Sequence, residues 1–144
     1  MAASAWTVVN SIKERMGNAE INFDTDTFKM RLYTSSSNIA ATSDDASAVT
    51  GELTTANGYT AGGVTLTPTW TRATGTVTFD VSDPSWTASG GSIVARYAAI
   101  VDTTPVTPRV VAFCTLDNTP ADVTTTTGNS LTIQISVSGV FTLT

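Results

Sequence analysis

The sequence contains no histidine, and cysteine occurs only once in its 144 residues. Without histidine the chain lacks the general base of Ser-His-Asp and Cys-His catalysis and the imidazole ligand of the usual histidine-containing zinc sites. One cysteine excludes an intrachain disulfide and a thiolate metal cluster. Cys114 lies between apolar neighbours in RVVAFCTLD. We expect a small buried side chain there, because no adjacent basic residue lowers its pKa.

Charged residues are scarce as well, at 13% of the chain, and the formal net charge is −5. An acidic chain with seven scattered basic residues repels phosphate backbones, so we expect no binding to nucleic acid. The N-terminus lacks the pattern of a secretory signal, and no apolar run approaches the roughly 20 residues that span a bilayer. We therefore expect a protein made and used in soluble form, without membrane contact.

Apolar residues make up 41% of the chain, and threonine is abundant. This composition indicates a globular domain, and a chain of this length buries a substantial core. Thr, Val and Ile favour strands because their branched side chains pack well on a pleated surface. The starting class is therefore all-β.

One helix is predicted, over residues 4–16. Apolar residues recur there at three- and four-residue spacing, with Ser4 placed to cap the start and Gly17 to end the helix. The apolar stripe faces either the core or a partner, and both readings stay open. Its members are Trp6, Val9, Ile12 and Met16.

The apolar period changes to two after Ala19, which predicts half-buried antiparallel strands. TFKMRLYT, TVTFDV and SLTIQISV alternate in this way, with Tyr33 expected outward and Val137 inward. SIVARYAAIVD and RVVAFCTLD are apolar on both faces and are expected to be central strands. Frequent turn signals between short strands predict an antiparallel β-sandwich, jelly-roll-like, with one short N-terminal helix. We expect a helical arm over residues 1–17 and a β-sandwich domain over residues 18–144.

Residues 35–58 have little periodicity and many small polar side chains, which is typical of an exposed loop that carries contacts. The segment NFDTDTF is expected to be a turn, although two aspartates that are two residues apart also occur in metal sites. It lacks the further oxygen ligands of a calcium loop. No spacing selects a catalytic carboxylate pair, so we expect no enzyme activity, no metal and no cofactor.

Gly90-Gly91 precedes a β-branched strand, whereas a phosphate cradle leads into a helix and usually supplies a lysine. We therefore expect a structural turn in which one of the two glycines has a positive φ. Four aromatic residues offer an alternative function, because stacked rings bind sugars on β modules. Packing in the core or at an interface is the commoner use of such residues, which are Tyr33, Tyr59, Trp70 and Trp86.

Four long segments in this order resemble a family of small virion structural proteins of tailed bacteriophages: MAASAWTVVNSIKERMGNAEINFDTDTFKMRLYTSSSN, NGYTAGGVTLTPTWT, VTFDVSDPSWTASGGSIVARYAAIVD and GNSLTIQISVSGVFTLT. The resemblance covers nearly the whole chain and is greatest to capsid cement, or head decoration, proteins. It implies a jelly-roll-like, non-catalytic protein that is made in the host cytoplasm, binds the outside of the capsid and reinforces it. The implied partners are the major capsid protein and further copies of the chain, as a dimer or trimer.

A tail-associated position, or an adhesin that binds host glycans through exposed aromatic residues, is the alternative. For the interface we expect the apolar stripe of the helix first, because tryptophan is a frequent anchor. The loop 35–58 comes second, on exposure alone. The interface residues expected from the sequence are Trp6, Val9, Ile12, Met16, Asn38, Ile39, Val49 and Leu53.

Overall fold

The structure, a computed structural model, describes residues 3–119 and 121–144; Met1 and Ala2 of the expected arm lie outside the described residues. The described chain consists of antiparallel strands and one short α-helix, which confirms the all-β prediction. The elements in chain order are β1 (Thr7–Val8), α1 (Ser11–Gly17), β2 (Phe28–Tyr33), a 3-10 turn (Ala46–Ala48), β3 (Val64–Thr65), β4 (Pro68–Ala73), β5 (Thr76–Val81), β6 (Ser85–Thr87), β7 (Ile93–Ala95), β8 (Tyr97–Asp102), β9 (Arg109–Thr115), β10 (Val123–Thr125), β11 (Ser130–Thr132) and β12 (Phe141–Leu143).

The largest sheet has five strands in the order β1, β9, β8, β2, β3. Strands β8 and β9 lie inside it, and Ala98, Ile100 and Val110 have no exposed surface. Both faces of these strands are covered, which is why their sequences are apolar without alternation. Their expected central position is confirmed.

The second half of the chain forms a series of nested antiparallel pairs. Strand β8 pairs with β9, β7 with β10, β6 with β11, and β5 with β12. Residues 76–102 therefore run against residues 109–143 as one long hairpin that passes from sheet to sheet. Strand β4 pairs with β5 on the side opposite β12, which completes a three-stranded sheet in the order β12, β5, β4.

Two side chains depart from the expected alternation. Tyr33 is fully buried, because residues 51–53 lie against the end of β2, where Leu53 N–H donates to the Leu32 carbonyl at 2.9 Å. Val137 is fully exposed, because β11 ends at Thr132 and the chain then turns. The alternation of Phe28, Met30 and Leu32 into the core is confirmed.

The N-terminal segment is part of the body. The helix begins at Ser11, not at Ser4, because Thr7 and Val8 pair with β9 instead. Val9 and Ile12 belong to the same buried cluster as the strands. This corrects the expected helix over residues 4–16 and places Val9 and Ile12 of the expected arm in the core.

An aromatic cluster closes the core beside the turn that precedes β2. The Phe23 ring lies 4.6 Å from Phe79 and 5.0 Å from Trp70, centroid to centroid, and Phe28 and Phe141 complete the group. Packing of Phe23 anchors the turn at residues 22–26 to the three-stranded sheet, since buried aromatic rings contribute large apolar areas.

Candidate interaction surface

The residues of the expected helical stripe separate into two groups. Val9 and Ile12 have no exposed surface, whereas Trp6 and Met16 are half-buried at the edge of the core. A side chain enclosed by its own chain has no area left to bury against a partner. The interface prediction is therefore corrected for Val9 and Ile12, which are core residues, and it stays open for Trp6 and Met16.

An ion-pair cluster fixes the helix to the sheet. Asp44 accepts hydrogen bonds from Arg15 Nη2 at 2.7 Å, from Arg109 Nη1 at 3.0 Å and from the Ser11 hydroxyl at 2.9 Å. The bond from Arg15 is the main reason that the pKa of Asp44 lies below its ordinary value. Because the folded state lowers this pKa, the stabilisation is complete above the ordinary pKa of aspartate and is lost as the pH falls through the folded one.

The loop 35–58 folds back on the body rather than extending from it. The Asn38 side chain bridges the loop, donating to the Ala48 carbonyl at 3.1 Å and accepting from Thr50 N–H at 2.8 Å. Ile39 is buried, which corrects its assignment to an interface, while Asn38 is exposed and Val49 is half-buried.

Two shallow depressions open along this loop. Asn38 and Val49 line one of about 250 Å³, and Leu53 and Val94 line another of about 270 Å³. The second depression combines the half-buried Leu53 with an exposed valine on β7. The loop thus offers small mixed surfaces, without a deep cleft.

A buried polar network holds the second part of the loop. The Tyr59 hydroxyl donates to Glu52 Oε1 at 2.8 Å and accepts from Leu32 N–H at 3.2 Å. Glu52 also accepts from Gly62 N–H and lies 3.7 Å from the Arg31 guanidinium. Burial raises the pKa of Tyr59, so the phenol stays protonated and acts as a structural donor.

The four aromatic residues of the alternative function do not form a platform, and they pack in or against the core. Tyr33, Tyr59 and Trp86 are 0%, 2% and 6% exposed, and the half-buried Trp70 stacks on Phe23. Three of these rings are enclosed by the core, and Phe23 covers one face of Trp70, so the four present no common stacking surface for a sugar. This corrects the role of exposed aromatic residues in the alternative function.

The segment NFDTDTF forms the expected turn. Asn22 Oδ1 accepts from Asp24 N–H at 3.0 Å, and Asp26 Oδ2 accepts from Asn22 N–H at 2.7 Å. In the part of the chain that the structure describes, no group of three or more His, Cys, Asp or Glu side chains is placed to hold a metal ion. Within the same residues, no helix has the length and apolar character that a membrane crossing requires.

Several loops meet at the end of the molecule where β8 ends and β2 begins. Strands β3 and β5 also end there, and β4 and β9 begin there, as their antiparallel registers require. Hydrogen bonds connect the loops in sequence: Thr103 to Thr27, Leu66 to Phe28, Ser82 to Thr67, and Ile135 to Asp83.

Two valines stand fully exposed in these loops. Val106 and Val137 are each 104% exposed, whereas the next large hydrophobic residues, Leu143 and Val94, are 41% and 40% exposed. Val106 lies in the loop 103–108 and Val137 in the loop 133–140. We call the surface formed by these two loops and the turn 22–27 the valine end.

Both valines stand beside turn residues in the sequence, although Val137 also fits the alternating pattern of SLTIQISV. Val106 stands between Pro105 and Pro108, where a turn exposes its middle residue. Val137 precedes Gly139, whose φ of +73° and N–H bond to the Ser136 carbonyl at 2.7 Å mark a turn. An apolar residue in a turn, rather than an apolar period, identifies this surface.

Comparison of the chain with protein-family models, with curated proteins and with solved structures finds no match.

Proposed function

We propose that this chain is a non-catalytic structural protein of a bacteriophage virion that binds the outside of the capsid shell and reinforces it. The proposal starts from the resemblance of its sequence segments to cement proteins. The nested strand pairs from β5 to β12 support the jelly-roll-like fold that this family implies, because a jelly roll is a long antiparallel hairpin rolled into two sheets.

The valine end is the observation that carries the proposal. Val106 and Val137 expose their whole side chains to water in loops at one end of the molecule, and burial of such surface against a partner is favourable. Two loop tips form a small contact. On a shell that presents many equivalent sites, small contacts are sufficient when copies of the chain associate with one another.

Contacts between copies are proposed at the remaining sequence-derived positions. Trp6, Met16, Asn38, Val49 and Leu53 keep exposed or half-exposed surface away from the core. We propose that a dimer or trimer uses them, while Val106 and Val137 face the major capsid protein.

Substitution of both valines tests the proposal. We expect the variant with Val106→Ser and Val137→Ser to fold normally and to bind expanded capsids of its phage roughly tenfold more weakly for each side chain removed. Co-sedimentation with capsids over a range of protein concentrations measures this. Leu143→Ser is the control, because Leu143 on β12 is 41% exposed and belongs to none of the proposed contacts.

The outcomes distinguish an error in the proposed contact surface from an error in the proposed function. If the double variant binds as tightly as the parent, the valine end is not the contact. If the parent protein does not bind capsids, or if capsids that lack it survive heat as well as decorated ones, the proposed function is wrong.

A further inference from the structure

A second feature lies where the turn 22–27 meets the base of the loop 103–108. Thr103 N–H donates to the Thr27 carbonyl at 2.8 Å, and Thr27 N–H donates to the Thr104 hydroxyl at 2.7 Å. Asp26 and Asp102 directly precede the residues that these bonds join, one in each segment.

Asp102 is an unusual residue at such a corner, because it is only 1% exposed. Its Oδ1 accepts from Thr104 N–H at 2.9 Å, but no hydrogen-bond donor of the described residues reaches its Oδ2. Asp26 stands two residues before Phe28, the strand partner of Asp102, and therefore lies diagonally across from Asp102 on the same face. A buried carboxylate oxygen without a donor is costly, and a second carboxylate beside it increases the cost.

The surrounding charges do not neutralise the pair. Arg109 is the residue opposite Asp102 on β9, but its Nη1 donates to Asp44 instead. On β2 the opposite residue is the apolar Phe28, and Lys29 follows it on the other face of the sheet. The turn itself adds only the exposed carboxylate of Asp24.

We propose that Asp102 is protonated and donates from Oδ2 to the carboxylate of Asp26, and that this contact is a proton-dependent latch between the turn 22–27 and the loop 103–108. The proton turns Oδ2, which no donor reaches, into the donor of a hydrogen bond. Loss of the proton leaves two like charges in contact in a buried corner, which weakens the latch at the base of the valine end. The latch is independent of the proposed function.

The direction of the titration agrees with this geometry. Burial is the main cause that raises the pKa of Asp102, and the charge and hydrogen bond of Asp26 raise it further. A carboxyl whose pKa is raised by folding stabilises the protein fully below its ordinary pKa. That stabilisation is lost as the pH rises through the folded value.

Asp102→Asn tests the latch, because the amide keeps an oxygen for Thr104 N–H and supplies a permanent donor to Asp26. We expect this variant to melt roughly 3 °C or more above the parent at about pH 8, and by a smaller margin at about pH 5. Asp26→Asn should act in the same direction. Asp117→Asn is the matched control, because Asp117 Oδ1 makes the same bond to an N–H two residues ahead, at 3.0 Å, and should show no pH-dependent margin.

Thermal unfolding is followed with and without added calcium and with a chelator. Equal margins at the two pH values, or a lower melting temperature for both asparagine variants at about pH 8, would overturn the proposal. Calcium that raises the melting temperature of the parent but not of Asp102→Asn would also overturn it, since the pair would then hold a cation instead of a proton.

Discussion

Gly90 and Gly91 are adjacent, yet each is restricted to glycine by a different physical constraint. Gly90 has a φ of +77°, which confirms the expected positive φ, and open space surrounds the position that a Cβ would take. A Cβ on Gly91 would instead collide with the side-chain amide of Asn57. Asn57 is fixed there because its Nδ2 donates to the Ser92 carbonyl at 2.9 Å. The double glycine is thus a turn packed against a neighbouring loop.

A double-mutant cycle separates the two constraints. We expect Gly90→Ala to lower the free energy of unfolding by about 1 kcal/mol through backbone strain alone. Gly91→Ala should destabilise through its collision with Asn57, and Asn57→Gly should relieve that collision. Urea unfolding of the single and double variants measures the coupling. Coupling of Asn57→Gly to Gly90→Ala, and not to Gly91→Ala, would contradict this assignment.

The helix α1 contributes to the stability of the whole body, since Ile12 is buried while its neighbour Lys13 is exposed. We expect Ile12→Ala to lower the free energy of unfolding by about 2 to 5 kcal/mol, because it leaves a cavity between the helix and the sheet. Lys13→Ala is the matched control and should change it little. Equilibrium unfolding in urea provides both values.

Removal of residues 1–16 would take away Val9 and Ile12 together with the pairing of β1 with β9. The truncated chain should therefore lose cooperative unfolding, or unfold at a much lower urea concentration than the parent. A truncated chain of parental stability would show instead that the segment is a dispensable arm.

A strand was predictable where apolar residues alternate in the sequence and the same residues are buried in the structure. Phe28, Met30 and Leu32 alternate in sequence and are buried together, because β2 lies within a sheet that has one consistent core face. Tyr33 was not predictable in this way, since a segment some 20 residues further along the chain covers it. The helix was predicted too long because Trp6 and Val9 fit its period, and only the pairing of Thr7 and Val8 with β9 decides against it.

The candidate surface was less predictable than the fold. Turn signals mark Val106 and Val137 one at a time, but which loops meet at one end of the molecule follows from the pairing of distant strands. Asp26 and Asp102, far apart in sequence, lie near each other because β2 pairs with β8. Burial of Cys114, in contrast, was predicted from its apolar neighbours and is confirmed.

Because the strand pairs are nested, the central pair of β8 and β9 cannot separate without disturbing the pairs outside it. Cys114 lies on β9, opposite Ala98 of β8, and is 3% exposed. Burial raises the pKa of its thiol to about 12, so the reactive thiolate is almost absent in the folded state at neutral pH. Access to this sulfur requires separation of the central pair of strands, which the pairs outside it also stabilise.

Labelling of Cys114 should therefore report global unfolding. We expect a thiol reagent to modify the native protein at least roughly a thousandfold more slowly than the urea-unfolded protein, since the unfolded fraction of a stable domain is that small. Increasing urea should accelerate labelling in step with the loss of β structure by circular dichroism. Fast labelling without urea would instead show that β8 and β9 separate locally, while the rest of the body stays folded.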